Sequence, residues 1–484
     1  MNSRNRVFVL LTICYGALLV YTSYRAGALS FTHDESISYD IVTGNVGWKA
    51  TANHHPLNTR LMTWANRWLG ANEWQLRLPN VLSHVLYVAF GLLLLIQLRG
   101  VAPMLVGFAI LNLDPFLLDF FSLARGYGLA LGLSMAALYF LWRAWRRSEI
   151  IGKGAFVLCA LICGSLADLA NYTWLNSHLP LFAASLLILL VDRDRLVWTI
   201  NRWTILVVAT LTVGNALFIR NVARRILSLQ KGGELYGRGE SGFLTDTVGS
   251  LVDSYYYNQS YPSSLKEGIV LLAIAGFMLS AAVVIFRTWQ DRRVSFAAVL
   301  MLMLALAVVA PIMEHHLLGA PYPIERIALY YVPLAGVLAM FLVDENLVLA
   351  GRTTRMIGNL CCALLVGGMT LHFSRTANLS HTMTWAYDAE TRNAMLEIGR
   401  YFASNGSHGE ITVGNNWVFE PAMNYYRKRL PYDWLSPVKR APVLPGYDVV
   451  YCFSGDVANL GGLYHVLKSY PDTGSVLLVR EPNH

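Results

Sequence analysis

Residues 7–24, VFVLLTICYGALLVYTSY, form a mainly apolar run that is followed closely by Thr32-His33-Asp34-Glu35. The run is nearly as long as a helix that crosses a bilayer. Arg4 and Arg6 precede it and no small-residue cleavage site follows, which indicates a retained membrane helix and not a signal peptide. Two adjacent carboxylates at the edge of a membrane cost free energy, so they are expected to have a function. The stretch therefore predicts a membrane protein with a functional acid at the membrane–water interface.

The whole chain has the composition of a membrane protein. Its 484 residues are 55% hydrophobic and 14% charged, whereas soluble domains carry about 25% charged residues. The net charge is +8, and basic residues cluster in short loops between apolar runs: Arg143, Arg146, Arg147 and Lys153; Arg193, Arg195 and Arg202; Arg287, Arg292 and Arg293; Arg352 and Arg355. Such clusters are typical of cytoplasmic loops beside a membrane, so the pattern argues against a nucleic-acid-binding face.

The apolar runs and the basic loops together predict about eleven membrane helices, with the N-terminus in the cytoplasm. The expected spans are 7–25, 81–99, 103–121, 124–145, 155–171, 177–191, 203–220, 267–287, 294–313, 326–343 and 356–374. The segments expected outside are 26–80, 114–124, 221–266 and everything after about 375. This single orientation places every basic cluster on the cytoplasmic side. We expect a membrane module at 1–375 and an extracytoplasmic domain at 376–484.

The first outer segment has the pattern of two amphipathic helices. Apolar residues recur at helical spacing over 37–46 and 57–69. Trp64, Trp68 and Trp74 suit the headgroup region of a membrane. We expect two helices on the outer membrane surface; the alternative is a folded loop that does not contact the membrane.

The polar tail has alternating strand and helix patterns. Strands are expected at 410–413, 448–452 and 475–479, and helices at 388–403, 421–429 and 460–469. This alternation predicts a small α/β domain. The tail contains no Gly-rich phosphate loop, which argues against nucleotide binding.

The first candidates for catalysis are Asp34 and Glu35. A carboxylate at a desolvated site can act as a general base. The structural alternative is that Asp34 is the N-cap of a surface helix.

Two histidines, His54 and His55, lie between the predicted surface helices in Asn53-His54-His55-Pro56-Leu57. They could bind a phosphate, orient a substrate or join a metal site with Asp34. Adjacent histidines do not share a helical face, and no third ligand follows at a fixed spacing, so zinc is weakly supported. Pro56 at the start of a helix explains part of the motif structurally.

A third set of candidates lies near the outer turn of the third span: Asp114, Asp119, Arg125 and Tyr127. Ionisable residues at membrane depth are candidates for function and usually pair with one another. The structural alternative is an Asp119–Arg125 ion pair that locks the turn.

Arg326 is the arginine at the outer end of the tenth span, against the positive-inside trend. It needs an anionic partner, which is either a carboxylate such as Glu325 or the phosphate of a ligand. Glu314-His315-His316 precedes this segment. The loop 221–266, which contains Tyr255-Tyr256-Tyr257 and several glycines, suits a mobile lid.

In this order, the motifs resemble the GT-C superfamily of membrane glycosyltransferases, and more closely its bacterial polyprenyl-phosphate-sugar mannosyltransferase and aminoarabinose-transferase-like group. The matching pieces are Asp34-Glu35, His55-Pro56-Leu57, Arg77-Leu78-Pro79, Asp114-Pro115, Arg125-Gly126-Tyr127, Arg326 and Tyr330-Tyr331-Val332-Pro333. The resemblance covers about residues 1–375, and the tail resembles the variable extracytoplasmic domain of many members. Members often have a second proline where this chain has Leu57, and a tyrosine where it has Ile327.

The resemblance implies transfer of a hexose or pentose from a polyprenyl-phosphate carrier, with inversion at the sugar carbon. Asp34 would take the proton of the acceptor, with Glu35 beside it. Arg326, with Arg125 or His55, would stabilise the departing phosphate. The further substrate-binding candidates are His54, Asp114, Asp119, Tyr127 and Tyr330. Members of the superfamily can use a divalent metal, but the sequence shows no dedicated set of metal ligands.

The implied location is the inner membrane of a bacterium, with the site and the tail on the periplasmic side and a glycan, a lipid or a protein as acceptor. Two other classes of protein fit the composition. A transporter or flippase of lipid-linked glycans should carry charges near the bilayer midplane in related halves, whereas the charged motifs here gather at one face. A non-catalytic protein that displays its tail would leave Asp34, Arg125 and Arg326 without a shared cavity.

Overall fold

The computed structural model describes residues 3–45, 55–234, 239–405 and 409–481, and helices predominate in it. The helices are α1 (Ser3–Ala28), α2 (His33–Val42), α3 (Pro56–Trp68), α4 (Glu73–Leu95), α5 (Val101–Asn112), α6 (Pro115–Asp119), α7 (Gly126–Arg146), α8 (Ile150–Ala170), α9 (Leu175–Leu190), α10 (Arg202–Lys231), α11 (Gly249–Tyr256), α12 (Ser263–Asp291), α13 (Phe296–Leu318), α14 (Tyr331–Leu349), α15 (Arg352–Thr376), α16 (Thr391–Asn405) and α17 (Glu420–Arg429). The strands are β1 (Val191–Asp192), β2 (Val197–Trp198), β3 (Val413–Asn415), β4 (Val449–Phe453), β5 (Tyr464–Tyr470) and β6 (Ser475–Arg480).

Most of the long helices belong to a membrane bundle. Within the described residues, ten helices are long and apolar enough to cross a membrane: α1, α4, α7, α8, α9, α10, α12, α13, α14 and α15. An eleventh span is formed by two pieces, Val101–Asn112 and Pro115–Ser122, which are bent by 56° relative to each other. The prediction of about eleven membrane helices is confirmed.

The break in the eleventh span lies at Asp114-Pro115, within the expected span 103–121 and at the start of the outer turn expected at 114–124. Pro115 has no backbone N–H and cannot continue the hydrogen-bond ladder of α5. The Asp114 carboxylate instead accepts hydrogen bonds from the N–H groups of Phe116 and Leu117, at 3.0 and 3.3 Å, and so caps α6. The bend carries Asp119 into the interior of the bundle.

Asp119 forms a buried ion pair with Arg25 of α1. Arg25 Nη2 lies 2.7 Å from Asp119 Oδ1, and both side chains are almost fully buried. The Tyr257 hydroxyl donates to the same carboxylate at 3.0 Å, and the N–H of Met383 donates at 2.9 Å. The expected alternative, an Asp119–Arg125 pair, is wrong. The Arg25–Asp119 pair and the two further hydrogen bonds to Asp119 join α1, α6, the segment after α11 and the start of the tail.

Both helices predicted in the first outer segment are present. The first, α2, begins at His33, which places Asp34 and Glu35 inside its first turn. Most of α2 is buried because α17 of the tail packs on it. The second, α3, keeps Trp64 and Trp68 exposed, at 53% and 66%, as expected for a helix at the headgroup level.

The tail contains a four-stranded mixed sheet with the strand order β3-β4-β6-β5. β3 and β4 are parallel, and the other pairs are antiparallel. With α16 and α17 it forms the predicted α/β region. The helix expected at 460–469 is wrong: a 3₁₀ segment, Ser454–Leu463, leads into β5. Leu460, Leu463 and Val466 repeat at a helical interval, but pairing with β6 decides the conformation.

The tail shares an apolar core with the membrane module. Phe31, just before α2, stacks on Tyr425 of α17 with ring centroids 4.0 Å apart. The Tyr426 hydroxyl accepts a hydrogen bond from Phe31 N–H at 2.7 Å, and the Tyr425 hydroxyl donates to Ala71 O at 2.8 Å. These contacts hold the tail against the segment that carries Asp34.

We expect Arg25→Met to lower the free energy of unfolding by about 3–5 kcal/mol, because it leaves the buried Asp119 carboxylate without its counter-ion. Chemical unfolding in detergent micelles measures the loss. Lys428→Met is the matched control, because Lys428 pairs with Asp40 at 2.5 Å on the surface and such pairs contribute about 1 kcal/mol or less. Equal losses in the two variants would contradict the assignment.

Candidate functional site

A buried ion pair fixes the start of α2. Thr32 is the N-cap residue, and its N–H and hydroxyl both donate to Glu35 Oε2 at 3.0 Å. Arg77 of α4 binds the same carboxylate with two bonds, 2.8 Å from Nε to Oε1 and 2.7 Å from Nη2 to Oε2. The N–H of Ala124 also donates to Oε1, at 2.5 Å. Glu35 is fully buried, and both of its carboxylate oxygens accept hydrogen bonds from these donors. Glu35 therefore holds α2 in place and does not face a ligand.

The other donors of Arg77 go to the end of α1. Nη1 donates to the carbonyl oxygens of Ala26 and Leu29 at 3.1 and 2.9 Å, and Nη2 donates to Ser30 O at 2.8 Å. These carbonyls lie at the C-terminus of a helix, where a cation is favourable. One guanidinium group therefore connects the end of α1, the start of α2 and the first turns of α4.

Asp34 precedes Glu35 on α2 and therefore points to a different side of the helix. Its Oδ2 lies 3.4 Å from Arg125 Nη2 and 3.6 Å from Arg326 Nη2. Arg125 also donates through Nη1 to Asp34 O and to Ser38 Oγ, both at 3.2 Å. The Asp34 side chain is only 9% exposed. A carboxylate and two guanidinium groups from distant parts of the chain thus form one cluster.

Arg326 is the more accessible of the two arginines, with 28% of its side chain exposed, against 1% for Arg125. Its guanidinium group lies 4.9 Å from the ring centroid of Trp385 and interacts electrostatically with Tyr127. Burial acts to lower the pKa of Arg326, but Tyr127 and Asp34 raise it above the usual value, so the group stays charged. The cluster therefore presents a fixed positive charge to its opening.

The backbone just before Arg326 is strained. Glu325 has φ of 46°, the left-handed region that side chains with a Cβ rarely adopt. Its N–H donates to Ser250 Oγ, just inside α11, at 2.8 Å. Strain of this kind persists only where the surroundings hold it, and it occurs often at functional sites. Here it aims Arg326 at Asp34.

The start of the tail closes over the same cluster. The N–H of His33 donates to Asp388 Oδ2 at 2.7 Å. Burial raises the pKa of the Asp388 carboxyl well above its usual range, and the carboxylates of Asp34 and Glu35 raise it further. Burial also raises the pKa of Tyr387, again with help from Asp388 and Asp34. Trp385, Tyr387 and Asp388 are therefore neighbours of Asp34.

Two further predicted residues lie beside the cluster. Tyr127, in the first turn of α7, reaches Arg326, and the ring of His55 lies 5.4 Å from the ring of Tyr127. His55 is the N-cap residue of α3 and is followed by Pro56, as the motif predicted. His54 lies outside the described residues.

The remaining predicted residues are not brought to Asp34. Asp114 caps α6, and Asp119 is bound by Arg25 and Tyr257. The ring of Tyr330 packs 6.2 Å from Trp174, whose ring in turn lies 6.1 Å from that of Tyr127. These residues support the walls of the site from further inside the bundle.

Metal binding at this cluster is poorly supported. In the parts of the chain that the structure describes, no group of three or more His, Cys, Asp and Glu side chains could hold a metal ion. The two guanidinium groups beside Asp34 also repel a cation placed there. The arrangement suits an anion, because arginine forms paired, charge-assisted hydrogen bonds with phosphate oxygens.

The sequence did not indicate the residues that the tail and α2 add to the site, namely Ser38, Trp385, Tyr387 and Asp388. Trp385 and Asp388 follow the last membrane helix, at the start of and within a short 3₁₀ helix, Ala386–Glu390, that carries no motif. A weak signal was present, because two bulky aromatic residues and an acid occur together in Trp385-Ala386-Tyr387-Asp388.

We expect Arg77→Lys to speed amide hydrogen exchange in α2 by at least about tenfold. Lysine keeps the charge but loses the planar fork and several charge-assisted hydrogen bonds, each worth about 1.5–3 kcal/mol. Arg392→Lys is the matched control, because Arg392 is 39% exposed and lies 3.6 Å from Glu73. Unchanged exchange in α2 after Arg77→Lys would show that the fork does not hold this helix.

No protein-family model matches the sequence, and no curated protein matches it significantly. Solved structures do match the fold. ArnT from Cupriavidus metallidurans in the apo state has a TM-score of 0.55 and 12% sequence identity, and the match covers 98% of this chain and 99% of that one. The same protein bound to undecaprenyl phosphate has a TM-score of 0.55 and 13% identity, with 100% of both chains covered.

At this identity the likeness concerns the path of the backbone and not the side chains. It extends over the membrane helices and the tail alike, since nearly the full length of both proteins is matched. This chain therefore has the GT-C fold, the fold of ArnT.

Proposed function

We propose that this chain is an integral membrane glycosyltransferase that moves a sugar from a polyprenyl-phosphate carrier to an acceptor hydroxyl. The observation that carries the proposal is the Asp34 carboxylate between the guanidinium groups of Arg125 and Arg326, at 3.4 and 3.6 Å. In the same fold, ArnT binds undecaprenyl phosphate. That structure supports a polyprenyl phosphate as the carrier of the donor.

The two arginines are proposed to bind the phosphate of the donor. In the structure they balance the charge of Asp34 at distances longer than a good hydrogen bond. A phosphate offers them more acceptor oxygens and a larger charge. When it binds, Arg326 can turn towards it because that side chain is partly exposed, while Arg125 remains anchored through Asp34 O and Ser38 Oγ.

Asp34 is proposed as the general base. The acceptor oxygen attacks the anomeric carbon from the face opposite the phosphate, and its proton passes to the Asp34 carboxylate. The bond between the anomeric carbon and the phosphate oxygen breaks, and the carrier leaves as a polyprenyl phosphate whose charge the arginines stabilise. A single displacement of this kind inverts the configuration at the sugar carbon.

The other predicted residues are proposed to take supporting roles. Tyr127 interacts with Arg326, His55 lies beside Tyr127, and both would contact the donor. Glu35, Asp114 and Asp119 would position the elements around the site through the bonds described above, and Tyr330 would support its inner wall. His54 remains a candidate for substrate binding from the sequence alone.

The basic loops support an orientation in the bacterial inner membrane with Asp34 and the tail on the periplasmic side. Nucleotide sugars are absent there, which agrees with a lipid-linked donor. The tail, residues 376–484, would form the outer wall of the site through Trp385 and Tyr387. A glycan, a lipid or a protein would each supply the hydroxyl that the reaction needs.

We expect Asp34→Asn to abolish transfer, with a loss of at least about 10²–10⁴-fold, because an amide cannot accept the proton. Membrane glycans of cells that lack the gene and carry either variant or wild-type protein provide the measurement. The variant should still be expressed and folded.

Asp40→Asn is the matched control for this change. Asp40 lies on the same helix but pairs with Lys428 at the surface, so its variant should restore the glycans as well as the wild-type protein does. Full restoration by Asp34→Asn would rule this residue out as the base.

We expect Arg326→Gln to weaken binding of undecaprenyl phosphate by about tenfold or more, because it removes charge-assisted hydrogen bonds to the phosphate. Binding to the purified protein in detergent needs no acceptor and can be titrated directly. The control is Arg429→Gln, an exposed arginine at the end of α17. Equal affinities for the two variants would remove Arg326 from the phosphate site.

A further inference from the structure

We propose that a groove at the other end of the bundle binds an anionic phospholipid of the surrounding membrane. Asp34 and Arg77 lie where α1 ends and α4 begins. Arg4, near the start of α1, donates to Ile96 O just after the end of α4 at 2.6 Å. The turn after α4 is therefore at the opposite end of the bundle, which the basic loops predict to be cytoplasmic.

The groove lies between α5, α14 and α15 and has a volume of about 800 Å³. Most of its lining is apolar and includes Val101, Leu105, Leu347, Ala363 and Val366. α15 closes one side; most of its residues are exposed, and its buried residues, His372 and Thr376, lie near its far end. An apolar groove open to the hydrocarbon region suits an acyl chain, and its volume lies within the range of about 300–1,000 Å³ for small-molecule sites.

The polar end of the groove carries two arginines. Arg99 donates through Nε to Asp344 Oδ2 at 2.9 Å, and its side chain is 56% exposed. Arg355 is fixed by hydrogen bonds from Nε and Nη2 to Leu347 O, Val348 O and Ala350 O, at 3.0 to 3.2 Å.

These contacts leave donors available at the groove. Among the described residues, the two terminal nitrogens of Arg99 and Nη1 of Arg355 have no hydrogen-bond acceptor. Asp344 is the acid among the residues that line the groove with them, so the charges of the lining sum to +1. A fixed positive charge with unused N–H groups beside an apolar groove matches a phosphate headgroup attached to acyl chains.

A second groove, which has no arginines, shows how Arg99 and Arg355 distinguish the first one. It lies between α1 and α4, also has a volume of about 800 Å³, and is lined by residues such as Val20, Ser23, Trp74 and Val85. None of the residues described as lining it is charged. Both grooves can hold hydrocarbon, but only the one beside Arg99 and Arg355 can select a headgroup.

The occupant of the charged groove is a membrane phospholipid and not the proposed donor. α4 has 23 residues, so at 1.5 Å per residue its two ends lie about 35 Å apart. A donor phosphate at Asp34 is therefore too far away to reach Arg99. Phospholipid headgroups occupy both faces of a membrane, and anionic headgroups on the cytoplasmic face attract basic residues of membrane proteins.

Native mass spectrometry of the purified protein with phosphatidylglycerol and phosphatidylcholine of identical acyl chains tests the proposal. We expect preferential retention of phosphatidylglycerol, roughly fivefold for each arginine. The double variant Arg99→Gln/Arg355→Gln should lose most of this preference. Because Arg355 also caps α14, Ala363→Trp serves as a second variant: it keeps both charges, fills the groove and should reduce retention too.

Two controls match these changes. Arg195→Gln removes an exposed arginine at the same end of the bundle, and Val20→Trp fills the uncharged groove; both should retain phosphatidylglycerol as the wild-type protein does. Equal retention of the two lipids by the wild-type protein would overturn the proposal. Wild-type preference in both groove variants would overturn it as well. The assay contains no sugar donor, so its outcome is independent of the proposed transferase activity.

Discussion

The buried pair between Arg77 and Glu35 is the interaction on which the site depends. Five peptide segments meet at these two side chains: the end of α1, the residues after it, the start of α2, the first turns of α4 and the segment at Ala124. Desolvating two charges costs several kcal/mol each, and the cost is offset only when every donor and acceptor is satisfied. That condition makes one arrangement of the segments much more favourable than others. Asp34 gains its position from this arrangement, because it is the neighbour of Glu35 on a helix that cannot rotate.

A second buried pair joins Arg25 and Asp119, although Nε and Nη1 of Arg25 have no hydrogen-bond partner among the described residues. There the partners are Tyr257 and the N–H of Met383, so the lock reaches from α1 to the beginning of the tail. The two locks have their carboxylates in the interior and their arginines on the first and fourth helices. The third arginine–acid group, at Asp34, differs from both: its distances are longer and Arg326 is partly open to solvent. The proposed exchange of Asp34 for a phosphate as the partner of Arg326 would need this looser geometry.

Hydropathy and loop charge predicted the number of spans because both follow directly from the cost of burying polar groups in lipid. Asp34, Arg125 and Arg326 could be chosen from the sequence, since charges at the outer ends of spans are conspicuous, and the structure brings them together. Pairing was harder to predict. Asp119 was matched with the nearby Arg125, whereas its partner Arg25 lies far earlier in the chain, and no local pattern encodes that contact. β5 was mistaken for a helix because its pairing with β6 is also a long-range effect. The module boundary at 375 stays a prediction.

The stacking of Phe31 on Tyr425 has a consequence for how such a protein can diversify. A tail that shares its apolar core with the segment carrying Asp34 cannot be replaced independently of that segment. In a chimera, the tail of another protein would have to supply aromatic residues that pack on Phe31 and Tyr39. Sequence variation in the tail is therefore expected in its outer loops, while the residues that pack against the membrane module stay the same.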